Sequence, residues 1–409
     1  MGWLRNTVAR DTAWVGAFQG AVVLVSLASN AILARQLGPD VLGGYQYLVS
    51  WVAVAAVFGL PGMNVSITRA CLKDYDAFFW WAFRRSVVVS AIGTFVVAAV
   101  GSVLLLLDGG MGGAATACLL VAAGIPAVGL QGFDSALVGK RDFRSSRLLS
   151  LFGAVLVLVL TAVAAVTTHS AAWTFGGYVL GRGVVAVVGL RVAALKLRRQ
   201  DRDSGRERDL AAQGWRQTGL NGFFIAASQF DRLLLGTLSP PLLAYYHIGL
   251  LIPQRMATNS KVLLGVLTAH WGAAEPRHNL EALRTHGWKL FAGGALVAAA
   301  VAAFLPWIVP LVFGTDFEPA IPLGQLYSVN LVLGFWQATY MGYEQFQYNG
   351  AFAQKVQLVR QVSFFVLAAA LIVPFQAYGL IAAHVGANVL QFVLSYRKYL
   401  QRIRAANAQ

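Results

Sequence analysis

Ionisable side chains recur inside the long apolar stretches of this 409-residue sequence, and their chemistry suits an anion-binding site. Arg and Lys within membrane-spanning helices are costly unless they meet water or an anionic partner. The bases predicted at membrane depth outnumber the acids. The bases are Arg182, Arg232, Arg255 and Lys261, and the acids are Asp231 and, nearer the cytoplasm, Asp134. This surplus of positive charge indicates an anionic ligand within the membrane.

Asp231 and Arg232 are adjacent in the apolar stretch NGFFIAASQFDRLLLGTLSPP, residues 221–241. Consecutive residues on an α-helix point about 100° apart, so these two charges do not face each other. Two interpretations stay open. Asp231 belongs to a fixed ion-pair network with Arg255 or Arg182, because buried charges are usually paired, or it tunes an anion-binding arginine or carries a proton.

Polar residues follow helical spacing in several apolar stretches. The most polar stripe is His247, Gln254, Thr258 and Lys261, with Arg255 and Asn259 beside it, and others are Gln19, Ser26 and Asn30, then Asn330, Gln337 and Glu344, then His384, Asn388, Gln391 and Ser395. Such stripes indicate a central hydrophilic cavity lined by Gln19, Asn30, Gln254 and Asn259. The alternative is hydrogen bonding that holds neighbouring helices together.

The elements that must position these residues are membrane-spanning helices. Hydrophobic residues make up 57% of the chain, charged residues 12%, and the mean hydropathy is +0.62. Apolar runs of about 20 residues are long enough to cross a bilayer as helices. Twelve spans are predicted at 14–34, 45–64, 86–107, 114–138, 148–167, 172–195, 217–238, 243–268, 289–313, 321–342, 356–374 and 377–396.

The net charge of +15 is unevenly distributed. Alternate connections are rich in Lys and Arg, as in GKRDFRSSR and KLRRQDRDSGRER, whereas the opposite connections are nearly free of bases apart from Arg35, at the outer mouth. This positive-inside pattern predicts that both termini are cytoplasmic. It also accounts for the basic composition without nucleic-acid binding.

An internal repeat divides the spans into two sets of six. LGPDVLGGY, from Leu37, aligns with LSPPLLAYY, from Leu238, and each lies between the first and second spans of its half. Because both halves start on the cytoplasmic side, the repeat is parallel. The predicted organisation is an N-terminal six-helix half at 1–195, a basic cytoplasmic linker at 196–216 and a C-terminal six-helix half at 217–409.

The sequence contains no motif for nucleotide-driven transport or for catalysis. G-x-x-x-x-G-K-[ST], H-E-x-x-H and paired C-x-x-C motifs do not occur. His247, His384 and Asp231 are too dispersed for a triad or a metal site. We therefore predict a protein that is not an enzyme and that uses no cofactor and no metal.

Three motifs follow one another along the chain. The first is ILARQLGPDVLGGYQYLVSW followed by FGLPGMNVSITRA. The residues concerned are Leu33, Ala34, Arg35, Leu37, Gly38, Pro39, Gly44, Tyr45 and Arg69, then Asp231, Arg232, Leu235 and Gly236, then Phe313, Gly314, Phe317, Ala320 and Leu323. These motifs resemble those of polysaccharide flippases in the multidrug/oligosaccharidyl-lipid/polysaccharide (MOP) exporter superfamily, and in order and topology the resemblance covers nearly the whole chain.

The resemblance implies an all-α, MATE-like fold in which two six-helix halves surround a central cavity. It implies that the protein flips undecaprenyl-diphosphate-linked oligosaccharides, for O-antigen, capsule or exopolysaccharide, across the bacterial inner membrane. Its partners would be that glycolipid, membrane lipid, a polysaccharide polymerase and a chain-length regulator. We expect Arg255, Lys261, Arg232, Arg182 and Arg35 to contact the anionic headgroup. The alternatives within the superfamily are lipid II flipping and cation-coupled multidrug export.

Overall fold

The computed structural model describes the backbone of residues 2–106, 112–198, 203–272, 276–347 and 351–407. Within these ranges the described side chains are those outside 2–15, 112, 258–272, 276–280, 282, 345–347, 351 and 406–407. Throughout the described backbone the regular structure is helical. The chain forms two compact units, residues 1–240 (unit 1) and 241–409 (unit 2).

Unit 1 contains eight helices in the part of the chain that is described. They are α1 (Gly2–Ala55), α2 (Met63–Leu72), α3 (Ala77–Leu106), α4 (Gly112–Gly129), α5 (Gly132–Gly139), α6 (Phe143–Thr168), α7 (Ala171–Lys196) and α8 (Ser204–Leu238). A 3-10 turn at Ala56–Gly59 separates α1 from α2. Helices α4, α6 and α8 all pack against α1, which therefore lies at the centre of the unit.

Unit 2 contains five helices over its described residues. They are α9 (Pro240–Gly272), α10 (Pro276–Phe313), α11 (Ala320–Ser328), α12 (Asn330–Gln347) and α13 (Ala351–Asn407). Helices α11 and α12 both pack between α10 and α13. Gly249 of α9 and Gly324 of α11 are in backbone contact, since a Cβ added at Gly324 would lie 2.6 Å from the carbonyl oxygen of Gly249. Small residues permit this close approach of membrane helices.

The two longest helices each contain a kink that separates two predicted spans. In α1 the break is at Gly38, whose φ is +67°, and Pro39 follows it. A positive φ of this kind is readily adopted only by glycine. In α13 the break is at Gln376, two residues after Pro374. All twelve predicted spans lie mainly on helical residues, so the all-α prediction is confirmed.

Seven described helical segments are long and apolar enough to cross a membrane, as judged by length and composition. The described residues of α8, α9 and α12 do not meet that standard, and α9 and α12 carry two of the predicted polar stripes. Polar residues lower the mean hydropathy of a helix even when they lie on one face. The count of twelve spans is consistent with the helices and stays a prediction.

The first residues after the 3-10 turn fix α8 within unit 1. A Cβ added at Gly62 would lie 2.1 Å from the backbone nitrogen of Thr218, so only glycine allows this approach. The Gly62 N–H donates to the Thr218 hydroxyl at 3.2 Å. The contacts thus place α8 in unit 1, whereas the predicted division assigns the span at 217–238 to the C-terminal half. That division into halves, with its linker, stays a prediction.

Candidate functional site: buried charges in the helices of each unit

Arg182 on α7 is the partly buried base of unit 1 that contacts an aromatic ring. Its guanidinium carbon lies 5.6 Å from the ring centre of Tyr178, a cation–π distance. Its Nε atom is buried and makes no hydrogen bond within the described part of the chain. A buried donor of this kind suits an anionic or carbonyl acceptor.

Asp231 and Arg232 on α8 have different hydrogen-bond partners. Asp231 is 4% exposed, and its Oδ1 accepts the backbone N–H of Arg232 at 2.8 Å. The Arg232 guanidinium donates to Gln229 Oε1 at 3.3 Å. Of the two bases considered as partners of Asp231, Arg182 belongs to unit 1 and Arg255 to unit 2.

The remaining predicted site residues of unit 1 lie on α1 and α5. The Asn30 amide donates to the carbonyl oxygen of Ser26 at 2.8 Å, one turn earlier on α1. Gln19 is partly buried, and Arg35 is exposed. Asp134, in the first turn of α5, accepts a hydrogen bond from the Ser146 hydroxyl.

Two of the predicted site residues of unit 2 are described and two are not. Gln254 and Arg255 are partly buried on α9. Asn259 and Lys261 fall outside the described side chains. The assignment of all these residues, in both units, to a headgroup site or to its polar lining stays a prediction.

A hydrogen-bonded network in unit 2 joins two of the predicted polar stripes. Asn388 Nδ2 donates to Asn330 Oδ1 at 2.7 Å, and Gln337 Nε2 donates to the carbonyl oxygen of Asn388 at 2.7 Å. Arg360 Nε donates to Asn388 Oδ1 at 2.6 Å. These bonds connect α12 with both limbs of α13. Here the polar residues hold helices together, which is the alternative interpretation of the stripes.

The sequence reasoning missed Arg360. This residue lies inside the predicted span 356–374, close to its cytoplasmic end, where a base is expected from the positive-inside rule. A signal that could have found Arg360 is the polar residue next to it, Gln361, together with the polar stripe at 384–395 on the following predicted span. Arg360 is partly buried and also donates to Gln361 at 3.2 Å.

A cluster of aromatic rings surrounds one end of α12. Trp336 and Tyr340 are stacked with ring centres 5.2 Å apart, and the ring of Tyr399 meets both at 5.8 Å. Trp336 is 2% exposed, so it packs in the core and does not offer a platform for sugar. One turn beyond Tyr340, Glu344 is fully buried and accepts the Tyr340 hydroxyl at 2.8 Å.

A charged cluster joins three connections at one end of unit 1. The Lys140 ammonium lies 2.8 Å from carboxylate oxygens of both Asp74 and Asp76. Asp76 is fully buried and also accepts the backbone N–H of Arg198 at 2.9 Å. All three connections were predicted to lie on the same side of the membrane, and the structure places them together. Sequence reasoning did not foresee these ion pairs.

The pKa values in this charged cluster follow from its ion pairs. The hydrogen bond from Lys140 holds the pKa of Asp74 below its ordinary value. Partial burial alone would lower the pKa of Lys140, but its bonds to Asp74 and Asp76 outweigh that effect and raise it. Partial burial would likewise raise the pKa of Asp142, but hydrogen bonds from Lys196 and Ser145 lower it.

Unit 1 also contains an apolar cavity of about 870 Å³ between α1, α3, α4 and α8. Tyr47, Trp51, Phe58 and Phe223 are among its lining residues. Its lining is suited to hydrocarbon and lacks the charged groups that an anion requires.

The chain resembles one known family in sequence and several solved structures in fold. Residues 8–249 match the family described as polysaccharide biosynthesis protein. No curated protein matches the sequence significantly.

Three solved structures show the fold. A multidrug resistance MATE family transporter of the MOP superfamily, in an inward-facing conformation, has a TM-score of 0.71 at 18% identity and covers 95% of this chain and 96% of its own. The lipid II flippase MurJ, inward closed, has a TM-score of 0.73 at 10% identity, covering 97% and 91%. A MOP superfamily transporter from Pyrococcus furiosus has a TM-score of 0.60 at 18% identity, covering 98% and 96%.

Proposed function

The chain belongs to the polysaccharide biosynthesis protein family, and on that premise we propose that it flips an undecaprenyl-diphosphate-linked oligosaccharide from the inner to the outer leaflet of the bacterial inner membrane. The family match over residues 8–249 is the observation that carries the proposal. The MOP-superfamily fold supports it, because that fold is shared with a lipid flippase and with exporters. Fold alone does not determine the substrate.

The partly buried arginines support an anionic substrate. Arg182 and Arg232 in unit 1 and Arg255 in unit 2 lie on helices within predicted spans. Charge-assisted hydrogen bonds between guanidinium and phosphate are among the stronger polar interactions in proteins. We propose that these arginines, with Lys261 and Arg35, bind the diphosphate, and that Gln19, Asn30, Gln254 and Asn259 face the sugars. Asp231 and Asp134 would then set the charge around the headgroup.

The apolar cavity supports the lipid part of this substrate. Because its walls are hydrocarbon and aromatic side chains, it favours an isoprenoid chain over a sugar. The protein would act at the inner membrane next to a polysaccharide polymerase and a chain-length regulator. Lipid II flipping and cation-coupled drug export are the alternatives within the superfamily, and solved structures of both kinds share the fold.

Mass spectrometry of lipid extracts from a strain lacking this gene, compared with its parent, tests the proposal. We expect an undecaprenyl-diphosphate oligosaccharide to accumulate and surface polymer to be lost. Accumulation of lipid II instead would transfer the assignment to that substrate. Normal lipids with normal surface polymer would overturn flipping and direct the next assay to drug export.

Complementation of that strain tests the headgroup site. Arg255→Glu should fail to restore surface polymer while its amount in the membrane stays normal, because a carboxylate repels the diphosphate. Arg216→Glu is the matched control, since Arg216 is exposed on α8 and lies before the predicted span. Full restoration by Arg255→Glu would remove Arg255 from the site.

A further inference from the structure

Glu344 is a buried acid whose two carboxylate oxygens have unequal surroundings. Its side chain is fully buried, and its Oε1 accepts the Tyr340 hydroxyl at 2.8 Å and lies 3.4 Å from Arg402 Nε. Its Oε2 is also buried and has no hydrogen-bond partner among the described residues. A native buried polar atom without a partner calls for a physical explanation.

The surroundings of Glu344 disfavour a permanent negative charge. Trp336, Tyr340, Tyr343 and Tyr399 form a buried aromatic cluster, and the Tyr340 hydroxyl of that cluster contacts Glu344. Removing a carboxylate from water into such surroundings is expensive unless a close cation and several donors replace the water. Oε1 of Glu344 has one short hydrogen bond, from Tyr340, and one longer contact with Arg402. These contacts only partly offset the cost of burying the charge.

The ionisable groups that contact Glu344 or belong to the aromatic cluster beside it come from three helices. On α12 they are Tyr340 and Tyr343, on α13 they are Tyr396, Tyr399 and Arg402, and on α10 Arg284 acts electrostatically on Tyr399. Arg402 is the described base within ion-pair distance of Glu344. Its side chain is 27% exposed, so it connects the buried carboxylate to the surface.

We propose that Glu344 is a proton-binding site of this transporter, with a proton from water as its ligand. An O–H bond forms at Oε2 as an O–H bond of a hydronium ion breaks, and the reverse transfer returns the proton to water. Oε1 keeps the Tyr340 hydrogen bond in both states, so the carboxyl group stays in place. This inference rests on the proposed transport function, whose energy source the family match does not identify.

Proton binding changes the contact between α12 and α13. The ionised carboxylate attracts the Arg402 guanidinium, and the neutral acid does not. Glu344 lies near the end of α12, and Arg402 lies near the end of the second limb of α13, after the kink at Gln376. Protonation therefore loosens this end of unit 2 without altering its hydrogen-bonded network around Asn388. A transporter can couple a proton to movement in this way.

Infrared titration of the purified full-length protein tests proton binding without any substrate. We expect a band of the protonated carboxyl group that changes with pH in the wild type and is missing in Glu344→Gln. The matched control is Glu318→Gln, an exposed acid of the same unit, which should keep the band. Identical spectra for wild type and Glu344→Gln at every pH would overturn the proposal.

The Arg402 contact predicts a shift of this titration. Arg402→Gln removes the nearby positive charge, so the band should persist to higher pH than in the wild type. Arg397→Gln changes an exposed base of the same helix and should leave the titration unchanged. An unchanged titration in Arg402→Gln would show that Arg402 does not act on the carboxyl group, and would overturn the proposed proton-dependent contact between α12 and α13.

Flipping of the lipid-linked oligosaccharide in vesicles at a series of pH values tests the coupling. The wild-type rate should change with pH, and the rate of Glu344→Gln should be low and independent of pH, with Glu318→Gln like the wild type. If Glu344→Gln fails to fold, Glu344→Asp serves, with its pH profile displaced. A wild type that flips at no pH contradicts the proposed function while the infrared result still decides the proton site.

Discussion

Asp76 in unit 1 and Glu344 in unit 2 are both fully buried acids, and their partners differ. The carboxylate of Asp76 has the Lys140 ammonium at 2.8 Å on one oxygen and the Arg198 N–H at 2.9 Å on the other. Glu344 has the Tyr340 hydroxyl at 2.8 Å and Arg402 Nε at 3.4 Å on one oxygen, and its second oxygen has no hydrogen-bond partner among the described residues. Both oxygens of Asp76 thus lie close to a nitrogen, whereas only one oxygen of Glu344 has a described polar contact, and the proposed proton site rests on this difference.

The surroundings of Asp76 and Glu344 also differ, since one acid lies in a charged cluster and the other beside an aromatic cluster. The charged cluster of unit 1 ties together three connections, and each contact crosses between elements far apart in sequence. The aromatic cluster of unit 2 is held by ring packing among α10, α12 and α13. The charged cluster depends on charge and therefore on pH, whereas the aromatic cluster depends on the burial of its rings. Each can be removed by a single substitution.

The largest expected effect is on the aromatic cluster. Trp336→Ala should lower the stability of unit 2 by about 3–5 kcal/mol, because it opens a cavity beneath a ring that is 2% exposed. Trp51→Ala is the control, since Trp51 is 40% exposed beside the apolar cavity of unit 1. Thermal melting in detergent measures both. A small effect of Trp336→Ala on melting combined with loss of flipping would contradict the packing role and favour a contact between Trp336 and the sugar.

The next largest effect is the loss of stability when a buried acid is replaced by its amide, and it is compared between the two units. Asp76→Asn should cost about 2 kcal/mol, because Lys140 loses the buried half of its ion pair. Glu344→Gln should cost less than about 1 kcal/mol, because its amide oxygen keeps the Tyr340 bond and Arg402 reaches water. Melting of the two variants side by side is the measurement. Equal losses, or a larger loss for Glu344→Gln, would contradict the distinction between the two acids.

Much of the fold could be predicted from the sequence, because its signals are local. Apolar runs of the length of a bilayer gave the helices, and Gly38 with Pro39, like Pro374, marks a break within a run. Long-range pairing could not be predicted. Lys140 meets Asp74 across 66 residues, and Asn388 meets Asn330 across 58, and periodicity does not identify such partners.

The candidate site shows the same limit. Arg182 and Arg232 were found because bases are rare in apolar runs. Arg360 was passed over because a base near the end of a span has an ordinary explanation. Glu344 was seen as the last member of a polar stripe, but its burial and its bare oxygen depend on side chains from α13 and α10. Tertiary packing decides which polar residue is a structural partner and which is open.

The smallest expected effect is the pH dependence of the charged cluster. The pKa of Asp142 is lowered in the folded protein, so its contribution to stability is present above its unfolded pKa, about 4, and is lost as the pH falls through the folded value. The pKa of Lys140 is raised, so its contribution is present below its unfolded pKa, about 10.4, and is lost as the pH rises through the folded value.

Asp142→Asn isolates the acid side of that window. Asparagine caps a helix as well as aspartate does, so the hydrogen bond from the Ser145 N–H at the start of α6 is preserved and only the charge facing Lys196 is lost. We expect a loss below about 1 kcal/mol at neutral pH, because the Lys196 side chain is 52% exposed. Melting curves of the variant and the wild type should converge as the pH falls below the lowered folded pKa of Asp142, because both are then neutral at this position. A difference that persisted at acid pH would mean that the cap, and not the charge, carries the contribution of Asp142.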